Sequence, residues 1–359
     1  MRGPLLPVLI CLSIPAAAYA PRADLDAGRY LKALAEAEVQ IAANPANALA
    51  WAAKSQALTA LVRLPEALKA ADRSLELQPG LADGLLARAL ARAGIAVQKK
   101  NLGSLGGISD SMDDLRAAVK ADPGLGAAWM ALGLGYQQLP GILGGSTRRA
   151  LDCAESLKRV APARGAALQG TIHALDKNWG RASASFGLAL TLAPKDPEVI
   201  YAYLDALGSR ETRKAIGDGE QKRLLALEAR RLQPAAAGRA RALAAVCDAF
   251  LDAGLPEEAW TTALQALGTV DAPSVLRLEL GKISARSGVH AAEGLAFLDQ
   301  VLREPLEGGT GGHGSAHWRR GQVLKGLGRP QEARQAAQAA LALDPKDSKA
   351  KKLLEELGR

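Results

Sequence analysis

Apolar and small residues recur along the chain with the period of an α-helix, in pairs of segments joined by short turns. The stretch 316–345 shows this most clearly, with two successive segments of helical period. Gly328 separates them, where a residue that tolerates a positive φ suits a turn after a helix end. Pro345 ends the second segment because proline cannot continue a helix. The pattern predicts two antiparallel helices that approach closely at Gly321 and Ala333.

The same pattern returns through most of the chain. Each copy has a terminal proline; typically an alanine lies twelve residues before it and a large apolar residue six after it, as for Pro45 with Ala33 and Trp51. The prolines that mark the copies are Pro45, Pro79, Pro123, Pro162, Pro194, Pro234 and Pro345. We interpret residues 24–345 as one array of repeats, whose internal boundaries are least defined between residues 235 and 305.

The repeated unit resembles the tetratricopeptide repeat, whose period is about 34 residues. Pro79 lies 34 residues after Pro45, and Gly133 and Tyr136 follow Trp129 at the spacing that the family pattern has. The resemblance implies an all-α fold, a right-handed α-solenoid of about nine helix-turn-helix repeats. A composition of 48% hydrophobic but only 4% aromatic residues fits many small helix seams better than one bulky core. Residues 346–359 are predicted to form a C-terminal helix that caps the last repeat.

In the family that the chain resembles, the first helices of successive repeats line a concave groove that holds a segment of another protein. The residues that the resemblance places in the groove are Gln56, Met130, Leu134, Gln169, His173, Tyr201, Asp205, Trp318 and Gln322. Their mixture of polar and aromatic side chains suits a recognition surface. By contrast, Trp51, Trp129, Gly133 and Tyr136 match packing positions. The resemblance therefore implies a non-enzymatic scaffold that binds a protein or peptide partner in its groove.

Residues 1–20 have the pattern of a secretory signal peptide. Arg2 precedes an apolar run, and the segment 18–20 is Ala-Tyr-Ala, which fits a cleavage site. The run contains three prolines and is shorter than the ~20 residues that a membrane span needs, so we expect no membrane span. Pro21 would directly follow the cut, which leaves the cleavage position open. The mature protein is expected to be exported, either periplasmic or secreted.

Charge and cysteine content add little to this interpretation. The formal net charge is +8, but the cations are scattered over the polar faces of the predicted helices, and export removes nucleic acid as a partner. Cys153 and Cys247 fall on distant repeats and are expected to be buried small apolar residues rather than a disulfide. The sequence leaves the oligomeric state and the identity of the partner open.

Two glycine-rich segments, 99–109 and 140–147, lengthen the predicted turns of neighbouring repeats. Ser146 or Thr147 is expected to cap the helix that follows the second segment. This second loop loosely resembles one in the helical-repeat periplasmic component that accompanies TRAP-type solute transporters. The alternative function is therefore a periplasmic auxiliary solute-binding component of a transport system.

Candidate reactive residues are few. His173 is a lone histidine, and His313 and His317 have HxxxH spacing within the glycine-rich stretch 308–318. Two histidines four residues apart on a helix can bind zinc, but no third ligand is near and a flexible linker is the favoured interpretation. Motifs such as GxSxG, HExxH and CxxC are absent. We therefore predict no catalytic residue, no metal ligand and no cofactor.

Overall fold

The structure is a computed structural model that describes residues 20–26, 28–99, 105–307 and 312–358. Within these ranges the regular structure is entirely helical. The first ten helices are α1 (Ala20–Asp26), α2 (Tyr30–Ala43), α3 (Ala48–Ala60), α4 (Leu64–Leu77), α5 (Ala82–Lys99), α6 (Leu105–Ala121), α7 (Gly126–Gln138), α8 (Thr147–Val160), α9 (Pro162–Leu175) and α10 (Trp179–Leu192). The second ten are α11 (Pro197–Gly208), α12 (Arg210–Ile216), α13 (Asp218–Leu232), α14 (Ala240–Asp252), α15 (Pro256–Ala266), α16 (Pro273–Ser287), α17 (Ala291–Val301), α18 (Gly312–Gly326), α19 (Pro330–Leu343) and α20 (Ser348–Leu357).

In the described part of the chain these helices form nine successive pairs followed by α20. Each helix packs on its chain neighbours and on the next pair, so the molecule is the α-solenoid that the repeats predict. The sixth pair, α11 with α13, contains the extra short helix α12. Ser209 caps α12 by accepting a hydrogen bond from the Thr212 amide, and Gly217 ends it at φ 87°. The sequence pattern did not predict this insertion.

The helices form two layers. We call the first helix of each pair an A helix and the second a B helix. The A helices are α1, α3, α5, α7, α9, α11, α14, α16 and α18. Most successive A helices pack directly on each other, whereas successive B helices do not. The A helices therefore lie closer to the superhelix axis and form the inner face of the solenoid.

The pairs are held at close range by small residues in the seams. The alanines twelve residues before the marker prolines have no exposed surface; they are Ala33, Ala67, Ala150, Ala182 and Ala333. At Gly321 a Cβ atom would lie 3.1 Å from the Ala333 carbonyl oxygen and 2.7 Å from Leu353 Cδ2. The predicted close approach of α18 and α19 at Gly321 is therefore confirmed.

The turns follow the predicted chemistry in part. Gly328 has φ 72° after α18, and the Ser146 hydroxyl caps α8 by accepting a hydrogen bond from the Arg149 amide at 3.3 Å. The indole of Trp51 donates a hydrogen bond to the Pro45 carbonyl oxygen at 3.0 Å, and Trp129 does the same to Pro123 at 2.9 Å. These tryptophans fasten a turn to the following A helix. Pro162 differs, because it is the first residue of α9.

Two predicted loops are shorter in the structure. Residues 105–109 belong to α6, and α5 extends to Lys99, so the glycines at 106 and 107 are helical; residues 100–104 lie outside the described residues. Residues 312–318, predicted as a flexible linker, begin α18. Both stretches are rich in glycine, which hid their helical period in the sequence.

The first pair contacts the loop after the eighth pair. The amides of Tyr30 and Leu31, at the start of α2, donate hydrogen bonds to Glu307 Oε2 at 2.7 and 3.1 Å. A carboxylate at this position satisfies two otherwise unpaired helix amides and interacts favourably with the helix dipole. Since 276 residues separate Leu31 from Glu307, the solenoid closes on itself within about one superhelical turn. The repeat pattern did not predict this contact.

Helix α20 covers one side of the last pair. Asp347 caps it by accepting hydrogen bonds from the amides of Lys349 and Ala350, and Leu353 and Ala350 are buried against α18 and α19. A helix therefore lies where the C-terminal cap is predicted. Its capping role stays a prediction.

Two helical glycines offer a matched test of the seam. Gly170 of α9 faces Phe186 of α10, and an added Cβ would lie 2.8 Å from the Phe186 ring, whereas Gly187 has open space around it. We expect Gly170→Ala to lower the free energy of unfolding by about 1–2 kcal/mol, because the ring is enclosed and cannot withdraw. Gly187→Ala is expected to raise it by about 0.5–1 kcal/mol, the ordinary helix preference of alanine. Urea titration of both variants measures this, and a stabilised Gly170→Ala would contradict the close approach.

Candidate functional site

Three cavities among the described residues open on the inner face of the solenoid. The largest, about 740 Å³, lies beside α7 and is called the α7 cavity. The other two, about 390 and 300 Å³, share the residues Tyr201, Asp248 and Lys282. We call these two together the polar recess. The α7 cavity and the polar recess adjoin, since Tyr30 and Arg241 line both, but their chemistry differs.

The α7 cavity exists because the A-helix layer is interrupted. α5 and α7 are nearly out of contact, unlike most successive A helices. Helices α5 and α6 have 18 and 17 residues and are longer than their neighbours. The B helix α6 consequently reaches the inner face, where Ile108 and Met112 line the opening together with Leu90 of α5 and Met130 of α7. The wall is mostly apolar.

The polar recess is formed by α11, α14 and α16. Two ion pairs join α14 to α16: Lys282 with Asp248, and Arg286 with Asp252 at 2.7 Å. The guanidinium of Arg241 lies 4.3 Å from the centre of the Tyr201 ring, a cation–π contact, at one side of the recess. The recess therefore presents an aromatic ring and charges of both signs.

Asp205 is the exposed carboxylate of the recess. Burial by the surrounding inner face, together with the like charge of Asp248, raises the pKa of Asp205, and Arg241 opposes the rise. Both Lys282 and Arg286 are already engaged by other carboxylates. Asp205 is thus an acceptor for which an incoming cation or hydrogen-bond donor would relieve the repulsion from Asp248.

Glu279 is the buried acid of the recess, with 7% of its surface exposed. Burial raises its pKa to about 8; Asp248 adds to the rise, while Lys282 and Arg319 oppose it. Lys282 Nζ donates a hydrogen bond to Glu279 Oε2 at 3.3 Å and lies 3.2 Å from Oε1, which has no hydrogen-bond partner. Burial also lowers the pKa of the neighbouring Arg319.

Four of the predicted groove residues line the cavities. Met130 lines the α7 cavity, as does Leu134, and Tyr201 and Asp205 line the polar recess. All four project from A helices. Their role in binding stays a prediction.

The other five predicted groove residues line none of the three cavities. Gln169 accepts a hydrogen bond from Lys158 Nζ at 2.7 Å, and Gln56 hydrogen-bonds Asp83. His173 lies near Arg181 and Asp176, and burial lowers its pKa. Trp318 is covered by Lys349 Nζ, 4.9 Å from its ring centre, and Gln322 Oε1 is buried without a partner. Their role in binding likewise stays a prediction.

Several cavity residues were not found from the sequence. Arg241, Asp248, Glu279, Lys282 and Arg319 all come from repeats seven to nine. The first four lie in the interval 235–305. There the repeat pattern of proline, alanine and large apolar residues is least defined, so the A helices could not be aligned with those of other repeats. Aligning Ala244 of α14 and Leu278 of α16 with Tyr201 of α11 would have aligned Asp248 and Lys282 with Asp205, because each pair is four residues apart.

The loop 140–147 lines none of the three cavities, although Leu139 beside it lines the α7 cavity. Residues 141–143 form one turn of 3₁₀-helix, and Ile142 is 95% exposed. The alternative of a solute site between the two glycine-rich loops gains no support from this geometry.

The remaining candidate residues, His313, Cys153 and Cys247, are hydrogen-bonded or buried within the fold. His313 Nε2 is 2.9 Å from the Glu304 carbonyl oxygen, and no group of three or more potential metal ligands occurs among the described residues. Cys153 and Cys247 are buried and unbridged, as predicted, and burial raises the pKa of the Cys153 thiol to about 12. Of the helices that the structure describes, none combines the length and apolar character that crossing a bilayer requires.

Comparison with known proteins identifies one repeat by sequence. Residues 314–347, which cover most of α18, all of α19 and the following turn, match the family model for the Tetratricopeptide repeat. This is the unit from which the sequence pattern was defined. No curated protein matches the chain.

Several solved structures have similar folds at low sequence identity. A thermophilic TPR protein of Thermus thermophilus, TTC0263, is 20% identical, with 50% of this chain and 91% of that chain covered and a TM-score of 0.44. The APC/C hetero-tetramer Cut9–Hcn1 is 15% identical over 94% of this chain and 54% of that one, with a TM-score of 0.46. PilF of Pseudomonas aeruginosa is 17% identical over 64% and 97%, with a TM-score of 0.40.

The buried acid makes stability depend on pH. Because the folded-state pKa of Glu279 is about 8 and that of an unfolded glutamate is about 4.3, only the folded state holds this proton between these values. The free energy of unfolding should therefore fall as pH rises from about 5 to 8, by at most about 1.4 kcal/mol per pH unit from this group.

Glu279→Gln, which is neutral at every pH, is expected to flatten this dependence and to be more stable than the native protein at pH 8. Urea unfolding of both proteins at pH 5.5, 7 and 8 measures the difference. Parallel pH profiles for the two proteins would show that Glu279 ionises normally.

Proposed function

We propose that this solenoid, whose ninth pair is a tetratricopeptide repeat, is a non-enzymatic scaffold that binds a segment of another protein along its inner face. The polar recess is the principal contact. Its support is one observation: Tyr201 and Asp205 on α11 and Asp248 on α14 line one open cavity of about 300 Å³ on the inner face.

The chemistry of the recess favours a polar segment of the partner. Asp205 lies close to Asp248, and a lysine or arginine of the partner would offset their repulsion. The Tyr201 ring offers the flat, rigid contact that is frequent at interface hot spots. The ion pairs of Lys282 and Arg286 leave the recess with few cations able to repel such a residue.

The α7 cavity is less suited to this partner. An extended peptide backbone needs hydrogen-bond partners, and burying its amides and carbonyls against an apolar wall is costly. We therefore assign protein binding to the recess, and we do not retain the loop-based solute site as the main function.

We also propose that the scaffold acts outside the cytoplasm, on the pattern of residues 1–20 alone. Helix α1 begins at Ala20, and Pro21 is buried within it, so cleavage after Ala20 would remove one residue of α1. The mass of the protein purified from its native envelope or medium is expected to correspond to a chain that starts at Pro21. A chain that retains residues 1–20 in the cytoplasmic fraction would contradict export.

Site-specific photocrosslinking tests the partner site. We expect that p-benzoylphenylalanine in place of Tyr201, irradiated in intact cells, gives a discrete protein adduct that mass spectrometry can identify. The control places the same residue at Leu188, which is 48% exposed on the B helix α10. The adduct at 201 should be reduced at least severalfold by Asp205→Lys, because this change reverses the charge offered to the partner.

Two results would contradict the proposal. One is an absence of any protein adduct at position 201. The other is the same set of adducts at positions 201 and 188, which would indicate random collision. Circular dichroism of the Asp205→Lys variant separates lost binding from lost folding.

A further inference from the structure

The loop 140–147 holds an apolar side chain in water. Ile142 is 95% exposed, and Leu143 beside it is 36% exposed. A Cβ at Gly145 would lie 1.7 Å from the Leu139 carbonyl oxygen, so only glycine fits where the chain turns back toward α8. The chain therefore makes a fixed turn that presents Ile142 at its tip.

Backbone amides of this loop are used within the protein. The amides of Leu143 and Gly145 donate hydrogen bonds to the Pro140 carbonyl oxygen at 2.9 and 3.0 Å. The Ser146 amide donates one to the Tyr136 carbonyl oxygen at 2.8 Å. An amide that lost its partner would raise the free energy of a loop that leaves water. This loop is suited to leave water, since these three amides keep their partners.

The turn between α9 and α10 extends the same edge of the solenoid. Asp176 Oδ1, on this turn, accepts a hydrogen bond at 2.8 Å from Gln137 Nε2 near the end of α7, so the two turns are neighbours. Leu175 is 36% exposed, and Lys177 is also exposed. We call this turn, the loop 140–147 and the first turn of α8 together the edge patch. None of its residues lines the three cavities of the inner face.

Positive charge exceeds negative charge in the edge patch. Arg148, Arg149 and Lys177 are exposed, and none of the three forms an ion pair with another residue that the structure describes. The nearby carboxylates are Asp152 on α8 and Asp176, which is already a hydrogen-bond acceptor. Cations around an apolar tip complement a surface that is anionic outside and apolar inside. A bilayer that contains anionic lipids has this character.

We infer that the edge patch docks the solenoid on an anionic lipid bilayer. Ile142 and Leu143 enter the boundary between headgroups and acyl chains, and Arg148 and Lys177 lie beside lipid phosphates. A bilayer fits better than a pocket of a protein, because three amides of the loop are already paired and offer a protein partner no hydrogen bond. The inference goes beyond the binding proposed for the polar recess, which lies on the inner face.

Vesicle flotation tests the docking, with the protein purified from its native envelope or medium. We expect the protein to float at low salt with vesicles of phosphatidylglycerol and phosphatidylcholine, and a lipid titration gives the partition coefficient. This coefficient should fall at least about fivefold with phosphatidylcholine alone or in 0.5 M NaCl, because both remove the attraction between the cations and the lipid. No flotation with the anionic vesicles would overturn the inference.

Matched substitutions locate the contact. Ile142→Asp is expected to lower the partition coefficient at least about tenfold, because it replaces the inserted apolar group by an anion. Val39→Asp makes a similar change at a residue that is 69% exposed on α2, and should leave flotation unchanged. Lys177→Glu should lower the coefficient at least about fivefold. Lys195→Glu reverses an exposed charge in the turn between α10 and α11, at the opposite edge, and should have little effect.

Fluorescence quenching reports the position of the loop itself. With vesicles whose acyl chains are brominated, Ile142→Trp should be quenched more strongly than the native protein, and Val39→Trp should not. This readout is specific to position 142 and therefore does not depend on residues 1–20.

Two further results would overturn the inference: undiminished flotation of an Ile142→Asp variant with native circular dichroism, or equal quenching of Ile142→Trp and Val39→Trp. Photocrosslinking in intact cells identifies the occupant. A lipid adduct is expected from p-benzoylphenylalanine at position 142, and a protein adduct in its place would assign the edge patch to a protein partner and overturn the inference. Photocrosslinking at position 201 tests the polar recess separately.

Discussion

Close contact between helices at small residues is the constraint on which the whole structure depends. Ala33, Ala67 and Ala182 have no exposed surface, and a Cβ at Gly321 would meet the backbone of the paired helix. Close packing of this kind leaves the two helices of a pair little freedom to shift on each other, and the same contact is repeated along the chain. An aromatic content of only 4% is sufficient for packing, because the buried area is the sum of many small contacts between helices.

The candidate sites lie where this regularity is interrupted. Lengthened α5 and α6 separate α5 from α7 and open the α7 cavity. At the polar recess, charged residues occupy inner positions of α14 and α16, where Glu279 is buried with a raised pKa. Closure of the solenoid through Glu307 and the start of α2 then places Tyr30 near Arg241, between the two sites. The regular repeats form the inner face of the solenoid, and the departures from regularity place its cavities and charged residues.

The sequence predicted the seams and the order of pairs well, because proline, glycine and alanine act locally at positions such as Gly328 and Ala333. The family resemblance placed Met130, Tyr201 and Asp205 in the groove; they line the cavities, and their role in binding stays a prediction. The sequence pattern did not reveal α12, whose Ser209 cap and Gly217 end lack the repeat's spacing. The contact of Tyr30 with Glu307 and the grouping of Asp248 with Lys282 depend on superhelical curvature, which no local pattern encodes. Residues 106 and 107 were read as a loop because glycine has a low helix propensity, yet both are part of α6.

Closure of the solenoid is the central claim, since it brings the charged groups of the first, sixth and seventh pairs to one inner face. Double electron–electron resonance measures this closure most directly, as the distance between spin labels at the exposed positions Ala35 and Arg303. The closed solenoid predicts a single narrow distribution at short distance. A broad distribution at long distance would show that the first and eighth pairs are apart in solution, and would contradict the account.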